Sequence, residues 1–194
     1  MGNVRNSKLL LVHTILMVLL GLMSIASAVI VFTGNIPEGF EAGKETFKTT
    51  AALYGAAHVV NAVALACGIT YTMKGSGKAA AKWYKALVLL VALSITLRLI
   101  GTLIYPGFNV NACLMIVSII ILLILCFVKD LGSQKTWILF HVLLAVEIAL
   151  AIITFDKREV MSSIAGNLSR LMLVGTIGLA IREKYQDKAR RKTK

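Results

Sequence analysis

Arg98, Glu147 and Arg170 lie inside long, otherwise apolar stretches of this 194-residue chain. A charge surrounded by hydrocarbon is costly, so such groups pair, face a polar interior or serve a function. The chemistry on offer is anion recognition. A guanidinium presents a fork of N–H donors that fits a carboxylate or a phosphate. Two arginines against one glutamate leave one positive charge in excess. Glu147 and Arg170 sit on stretches joined by a short turn, which favours their pairing. Arg98 then needs an anion from elsewhere.

The polar neighbours of these residues recur at helical spacing. Tyr54, His58 and Asn61 follow i, i+4, i+7, as do Ser94, Arg98 and Gly101, with Tyr105 one turn further on. Ser163, Asn167 and Arg170 repeat the pattern with Gly166 beside them, and Glu147 aligns with Thr154. These periods put each set on one helical face. At ~1.5 Å rise per residue, Arg98, Glu147, Arg170 and His58 lie roughly 10–15 Å from the same end of their stretches, with Asn61 deeper. The candidate ligand-binding residues are therefore Arg98, Glu147, Arg170, His58, Asn61, Tyr54 and Asn167. Four such stripes meeting would line a polar cavity open to the outside, and the leading reading is a protein that binds and transports a small anionic solute or an ion through it.

Two other readings compete with this one. The same groups could serve only to hold helices together. Glu147–Arg170 would then fix register, Arg98 would reach headgroups along its apolar stem, and the rest would hydrogen-bond between helices. Alternatively, His58 and Glu147 could run acid–base chemistry. No HExxH, GxSxG or paired acidic motif accompanies them, so an enzyme is not expected. A bis-histidine haem would need His13 and His141 to face one another, and nothing else in the chain suits such a group. No cofactor or metal is expected.

The elements that carry these stripes follow from hydropathy. A mean hydropathy of +0.82 with 58% hydrophobic residues is too apolar for an ordinary soluble domain. A bilayer core takes about 20 apolar residues per helix. The spans read as 9–33, 49–73, 86–105, 110–128, 136–155 and 160–181, followed by a basic tail at 182–194. The expected fold is all-α, a single six-helix membrane bundle with neighbouring helices antiparallel. The first apolar run follows Arg5 and Lys8, as in a signal peptide, and contains Ala26-Ser27-Ala28. It is too long for a typical leader core and is taken as an uncleaved helix. Cys67, Cys113 and Cys126 lie within spans and are read as small apolar residues.

Charge gives the orientation. The termini and the connections 74–85 and 129–135 hold fifteen Lys and Arg against three acidic residues. The opposite connections, 34–48, 106–109 and 156–159, hold four basic residues against five acidic ones. The basic side is expected to be cytoplasmic, with both termini there. The two sides are termed inner and outer below. The net charge of +12 is thus a membrane signal and not a nucleic-acid one. Anionic lipid is the expected partner of the basic face. The expected location is a plasma membrane, and a bacterial one.

Small residues suggest packing. The second span carries Ala51, Gly55, Ala62, Ala64, Ala66 and Gly68, which let backbones approach, so it is expected at the centre. The fourth is bulky except at Ser118 and is expected at the lipid edge. Thr46, Thr49 and Thr50 are candidate caps for the second helix, and Pro106-Gly107 a tight outer turn. The inner connections share a Lys-x-x-Gly pattern and a following Trp, Trp83 or Trp137. That is either a duplicated hairpin or ordinary interfacial composition.

The orientation is directly testable. With Cys67, Cys113 and Cys126 replaced, a cysteine at Glu41 or Lys157 should react with an impermeant thiol reagent in intact cells. One at Gly77 or Ser133 should not. The reverse pattern would overturn the assigned sidedness.

Overall fold

A computed structural model describes residues 7–33, 44–74, 78–157 and 160–192. Its elements are α1 (Ser7–Thr33), α2 (Lys44–Lys74), α3 (Lys78–Ile104), α4 (Val110–Phe127), α5 (Gln134–Ile153) and α6 (Val160–Lys192). All six are long and apolar enough to cross a membrane, and the described residues contain no strand.

Three helices outrun their expected spans. α2 begins at Lys44, ahead of Thr46, Thr49 and Thr50, which therefore lie within the helix and do not cap it. α3 begins at Lys78, so Lys78, Lys82 and Lys85 ride on a helix and not in a loop. α6 continues to Lys192 through the basic tail. Hydropathy marks where a helix leaves the apolar zone, not where it stops. Residues 182–192 contain neither Gly nor Pro, so nothing breaks the backbone pattern there. The stretch 34–43 and the Gly77 position lie outside the described residues.

The turns use standard chemistry. Gly107 has φ +103, a conformation that disfavours side chains, and its N–H donates to the carbonyl of Thr102 at 2.8 Å. Asn109 caps α4, its side chain accepting from the Ala112 N–H at 3.0 Å. Ser133 caps α5 through the Thr136 N–H at 3.2 Å. Inside the helices, and at the C-cap of α5 for Thr154, the residues Thr14, Thr33, Thr70, Thr96, Thr102, Thr154 and Thr176 each donate to the carbonyl four residues back. That bond satisfies a hydroxyl where no water is at hand.

The helices form a closed ring in chain order, each packed on the next and α6 packed back on α1. α6 also packs on α2 and on α3, across the ring. The central helix is therefore α6 and not α2: the apolar window of α6 is 67% buried, that of α2 44%. The small residues of α2 are used sideways. Gly55 receives the Phe32 ring of α1, and Gly68 lies against Met17 of α1 and Leu87 of α3 as well as Leu173 of α6. α4 packs only on α3 and α5 among the described residues, as its bulky composition suggested. Its buried residues Ala112, Met115, Ser118, Leu122 and Leu125 form one stripe.

Toward the inner end the core is apolar, with Leu65, Leu87, Leu122, Leu125, Leu143, Leu173, Ile177 and Ile181 almost fully buried. Toward the outer end it is polar, with His58, Asn61, Ser94, Glu147, Asn167 and Arg170 buried. Outward-facing positions such as Leu19, Leu22, Ile120, Ile124, Ile148 and Ile152 are exposed and apolar.

At the inner end the α4–α5 turn docks on the extension of α6. The Asp130 carboxylate pairs with Lys188, and its Oδ1 accepts the Gly132 N–H at 3.1 Å. The Lys188 ammonium holds this exposed carboxyl below its ordinary pKa. A Cβ on Gly132 would sit 2.8 Å from the Lys184 carbonyl oxygen, so the two backbones are in direct contact. The Trp137 ring stacks on Tyr185, centroids 6.0 Å apart.

Gly132→Ala should lower the melting temperature, because the obstacle is backbone, with a cost of about 1–3 kcal/mol. Gly175→Ala should leave it unchanged or raise it, because a Cβ there meets nothing within 4 Å and Ala is the better helix former by about 1 kcal/mol. Thermal unfolding in detergent checks both. Equal effects would mean the turn does not bear on α6.

Candidate functional site

Polar groups from all six helices meet in the outer half of the bundle. α6 supplies the middle, because Gly166, Asn167 and Arg170 present one face to α3 and α5. α5 contributes Glu147, and the pair forms: Arg170 NH1 lies 3.7 Å from Glu147 Oε2, with side chains 1% and 0% exposed. That separation is too long for a hydrogen bond. At an effective dielectric near 20 it corresponds to an attraction of about 4–5 kcal/mol. Taking two ions out of water costs several kcal/mol each. The pair is therefore no net source of stability, and its effect is to fix which faces of α5 and α6 meet.

Hydrogen bonds orient both partners. Arg170 NH2 donates to Asn167 Oδ1 at 2.5 Å, and Arg170 Nε donates to the Gly166 carbonyl at 3.3 Å. Thr154 Oγ1 is 3.0 Å from Asn167 Oδ1. Ser118 Oγ donates to Glu147 Oε1 at 2.5 Å. Ser118 was not among the expected site residues. Its signal was present, since it is the one hydroxyl in the bulky run of α4, but only the structure shows that this hydroxyl faces the carboxylate.

Arg98 of α3 crosses to α6 and brings the NH1 and NH2 end of its guanidinium up to Gly166. A Cβ on Gly166 would lie 3.0 Å from Arg98 Cζ and closer still to its nitrogens. The residue as a whole is half-buried, yet its Nε and NH2 nitrogens are buried and make no hydrogen bond among the described residues. Gly101 instead faces Tyr54, whose Cε1 would be 3.2 Å from a Cβ there. The Ser94 hydroxyl donates to the Ala57 carbonyl at 3.1 Å and ties α3 to α2.

The α2 stripe divides. Tyr54 OH bonds to Thr102 Oγ1 at 3.2 Å and is only half-buried. His58 Nε2 bonds to Ser162 Oγ at 3.1 Å, while its Nδ1 is buried without a partner. His58 lies within electrostatic range of both Arg98 and Arg170. Asn61 Nδ2 donates to Ser24 Oγ and to the Ala165 carbonyl, both at 3.4 Å, and its Oδ1 is buried and unbonded. No hydrogen bond joins His58 to Glu147. The two remaining histidines also stay apart: His13 bonds to Thr176 of α6, and His141 is exposed beside Trp137.

The layer is closed over. Glu147, Arg170, His58 and Asn61 are all nearly inaccessible, at 1%, 1%, 2% and 0%. The expected open outer cavity is not what this conformation presents. Two pockets among the described residues lie elsewhere. One is a groove on the outward face of α4 and α5 near Leu114, His141 and Ala145, the other the inner junction of the α4–α5 turn with α6. Nine buried side-chain atoms lack a hydrogen bond among the described residues: Arg98 Nε and NH2, His58 Nδ1, Asn61 Oδ1, Glu147 Oε2 and Arg170 NH1 in the layer, and Ser27 Oγ, Thr50 Oγ1 and Asn111 Oδ1 nearer the outer ends of their helices. Buried polar atoms are nearly always satisfied, so such a cluster calls for a physical cause. No family model, curated protein or solved structure matches this chain.

The pair can be weighed by a double-mutant cycle. Glu147→Gln should destabilise the bundle by leaving Arg170 uncompensated, and Arg170→Gln in addition should recover much of the loss. The expected coupling is about 1–3 kcal/mol. Strictly additive losses would show that the two charges answer to different neighbours.

Proposed function

We propose that this chain is an integral membrane protein that binds a small anionic solute at Arg98 and carries it through the outer polar layer. The observation that carries the reading is the Arg98 guanidinium, with buried N–H donors that no acceptor among the described residues satisfies. An oxyanion with two acceptor oxygens would use those donors and neutralise the positive charge in excess. His58 and Asn61 supply further polar atoms at the same level, and Glu147–Arg170 is the pair whose spacing would respond to charge arriving nearby. Burial of the layer fits a site shut from both sides, as alternating access requires. The chemistry is binding and passage, not catalysis, since His58 and Glu147 are held by Ser162 and Ser118 and not by one another.

The bias of basic residues supports an orientation with both termini in the cytoplasm, and the location proposed for the bundle is a bacterial plasma membrane. A second reading is a structural or regulatory membrane protein without a ligand. It is favoured by the close seat of Arg98 on Gly166 and by the full burial of the Glu147–Arg170 pair.

A thermal-shift screen of small carboxylates and phosphates separates the two readings. Wild type should be stabilised by at least one anion. Arg98→Gln should weaken that binding about 10–100-fold, the loss expected for hydrogen bonds to a charged group. Arg98→Lys should fall between them, because it keeps the charge and loses the fork. Stabilisation equal in all three proteins, or absent for every anion, would favour the scaffold.

A further inference from the structure

The inner junction between the α4–α5 turn and the α6 extension is a second polar feature, remote from Arg98. It is a pocket of about 350 Å³ lined by Lys129, Asp130, Lys184, Asp187, Lys188 and Arg191, with Gly132 at its wall. Four cations face two carboxylates, leaving two positive charges. The Asp130–Lys188 pair is internal and anchors the turn to the helix. Among the described residues no ion pair involves Lys129, Lys184 or Arg191. The frame is rigid for a surface site, because the Gly132 backbone rests on the Lys184 carbonyl and Thr136 Oγ1 donates to the Asp130 carbonyl at 3.1 Å.

Its level in the bundle is equally specific. Trp137 and Tyr185 stack directly beside it, and such aromatic side chains favour the membrane–water interface. α4 ends at Phe127 and α5 starts at Gln134, so the pocket opens where the apolar zone gives way to polar residues. Lysine and arginine at that depth meet lipid phosphates, and anionic lipids concentrate on the cytoplasmic leaflet.

We infer that this pocket is a phosphate-binding site, formed by Lys129, Lys184 and Arg191 around the Asp130–Lys188 clamp, and that it seats the headgroup of an anionic phospholipid at the inner face. A phosphate dianion free in the cytoplasm offers the same chemistry, and the two sources are separable. The inference is independent of the Arg98 reading, since it uses the other end of α6.

The test uses the full chain in detergent with added phosphatidylglycerol or phosphatidylcholine, read by native mass spectrometry, and in parallel with inorganic phosphate, read by thermal shift. Lys129→Gln/Lys184→Gln/Arg191→Gln removes the pocket charges. Lys78→Gln/Lys82→Gln/Lys85→Gln removes the same number from the inner end of α3. Wild type should retain phosphatidylglycerol over phosphatidylcholine. The pocket variant should lose that preference about tenfold or more, and the α3 variant no more than about threefold, because diffuse attraction scales with total charge and not with place. Asp187→Asn should increase retention, a gain that misfolding cannot mimic. A phosphate-dependent shift that vanishes in the pocket variant while lipid retention is unchanged would assign the site to soluble phosphate. Equal losses in the two triple variants, or no preference in wild type and no response to phosphate, would overturn the inference.

Discussion

Two guanidinium groups and one carboxylate share the outer half of a bundle whose surface is apolar, and much of the architecture follows from accommodating them. A charge facing lipid is costly, so the helices that bear charges turn those faces inward. α6 carries Arg170 together with Asn167, Ser163 and Ser169, all buried, and it is the helix that crosses the ring to reach α2 and α3. α5 is held to it through Glu147, and α4 joins through the Ser118 hydroxyl. The peripheral position of α4 fits the same constraint, since Ser118 is the one buried hydroxyl its core-facing stripe supplies.

The excess charge is where the accommodation stops short of completion. Arg170 has Asn167, Gly166 and Glu147 around it. Arg98 has only the bare backbone of Gly166 under its guanidinium. Glycine there serves by lacking a side chain, since it lets the NH1 and NH2 end of the guanidinium come up against α6. Structural glue would ordinarily end in a carbonyl or hydroxyl acceptor, as Ser94 ends on Ala57 and Asn61 on Ala165. Other side chains, Ser27, Thr50 and Asn111 among them, leave one buried atom without a partner, but Arg98 leaves two donors of a charged group, and that gives the anion reading its weight.

Depth was legible in the sequence, and azimuth was not. Counting residues from the span ends put Glu147, Arg170, Arg98 and His58 at one level, and the structure brings the first two into contact. The six spans were readable for the same reason, since hydropathy is a property of depth. Which face meets which neighbour depends on rotation about each helix axis, and short connections leave that open. Gly101 and Gly166 illustrate the difference. Both lie on polar stripes, but Gly101 turns to Tyr54 and Gly166 to Arg98. Likewise, the small residues of α2 were visible, yet composition could not show that Gly55 is taken by Phe32 from α1. The helical tail was missed for another reason, because charge ends a hydropathy window without ending a helix.

The length of α6 joins the two ends of the molecule. Its 33 residues run unbroken by proline, about 50 Å from end to end. Gly166 supports Arg98 near one terminus, and the Lys184 carbonyl supports Gly132 near the other. Between them Gly178 admits the Phe140 ring of α5, so α6 is seated at three levels by contacts that depend on a missing side chain. A shift of α6 along its axis by even an ångström or two would disturb all three together, because a hydrogen-bonded helix moves as one body. Lipid held at the inner turn would favour one axial position of α6, and that position sets how closely Gly166 meets Arg98. This is a mechanical link, and it becomes an allosteric one only if α6 has two seated positions that the two sites favour unequally.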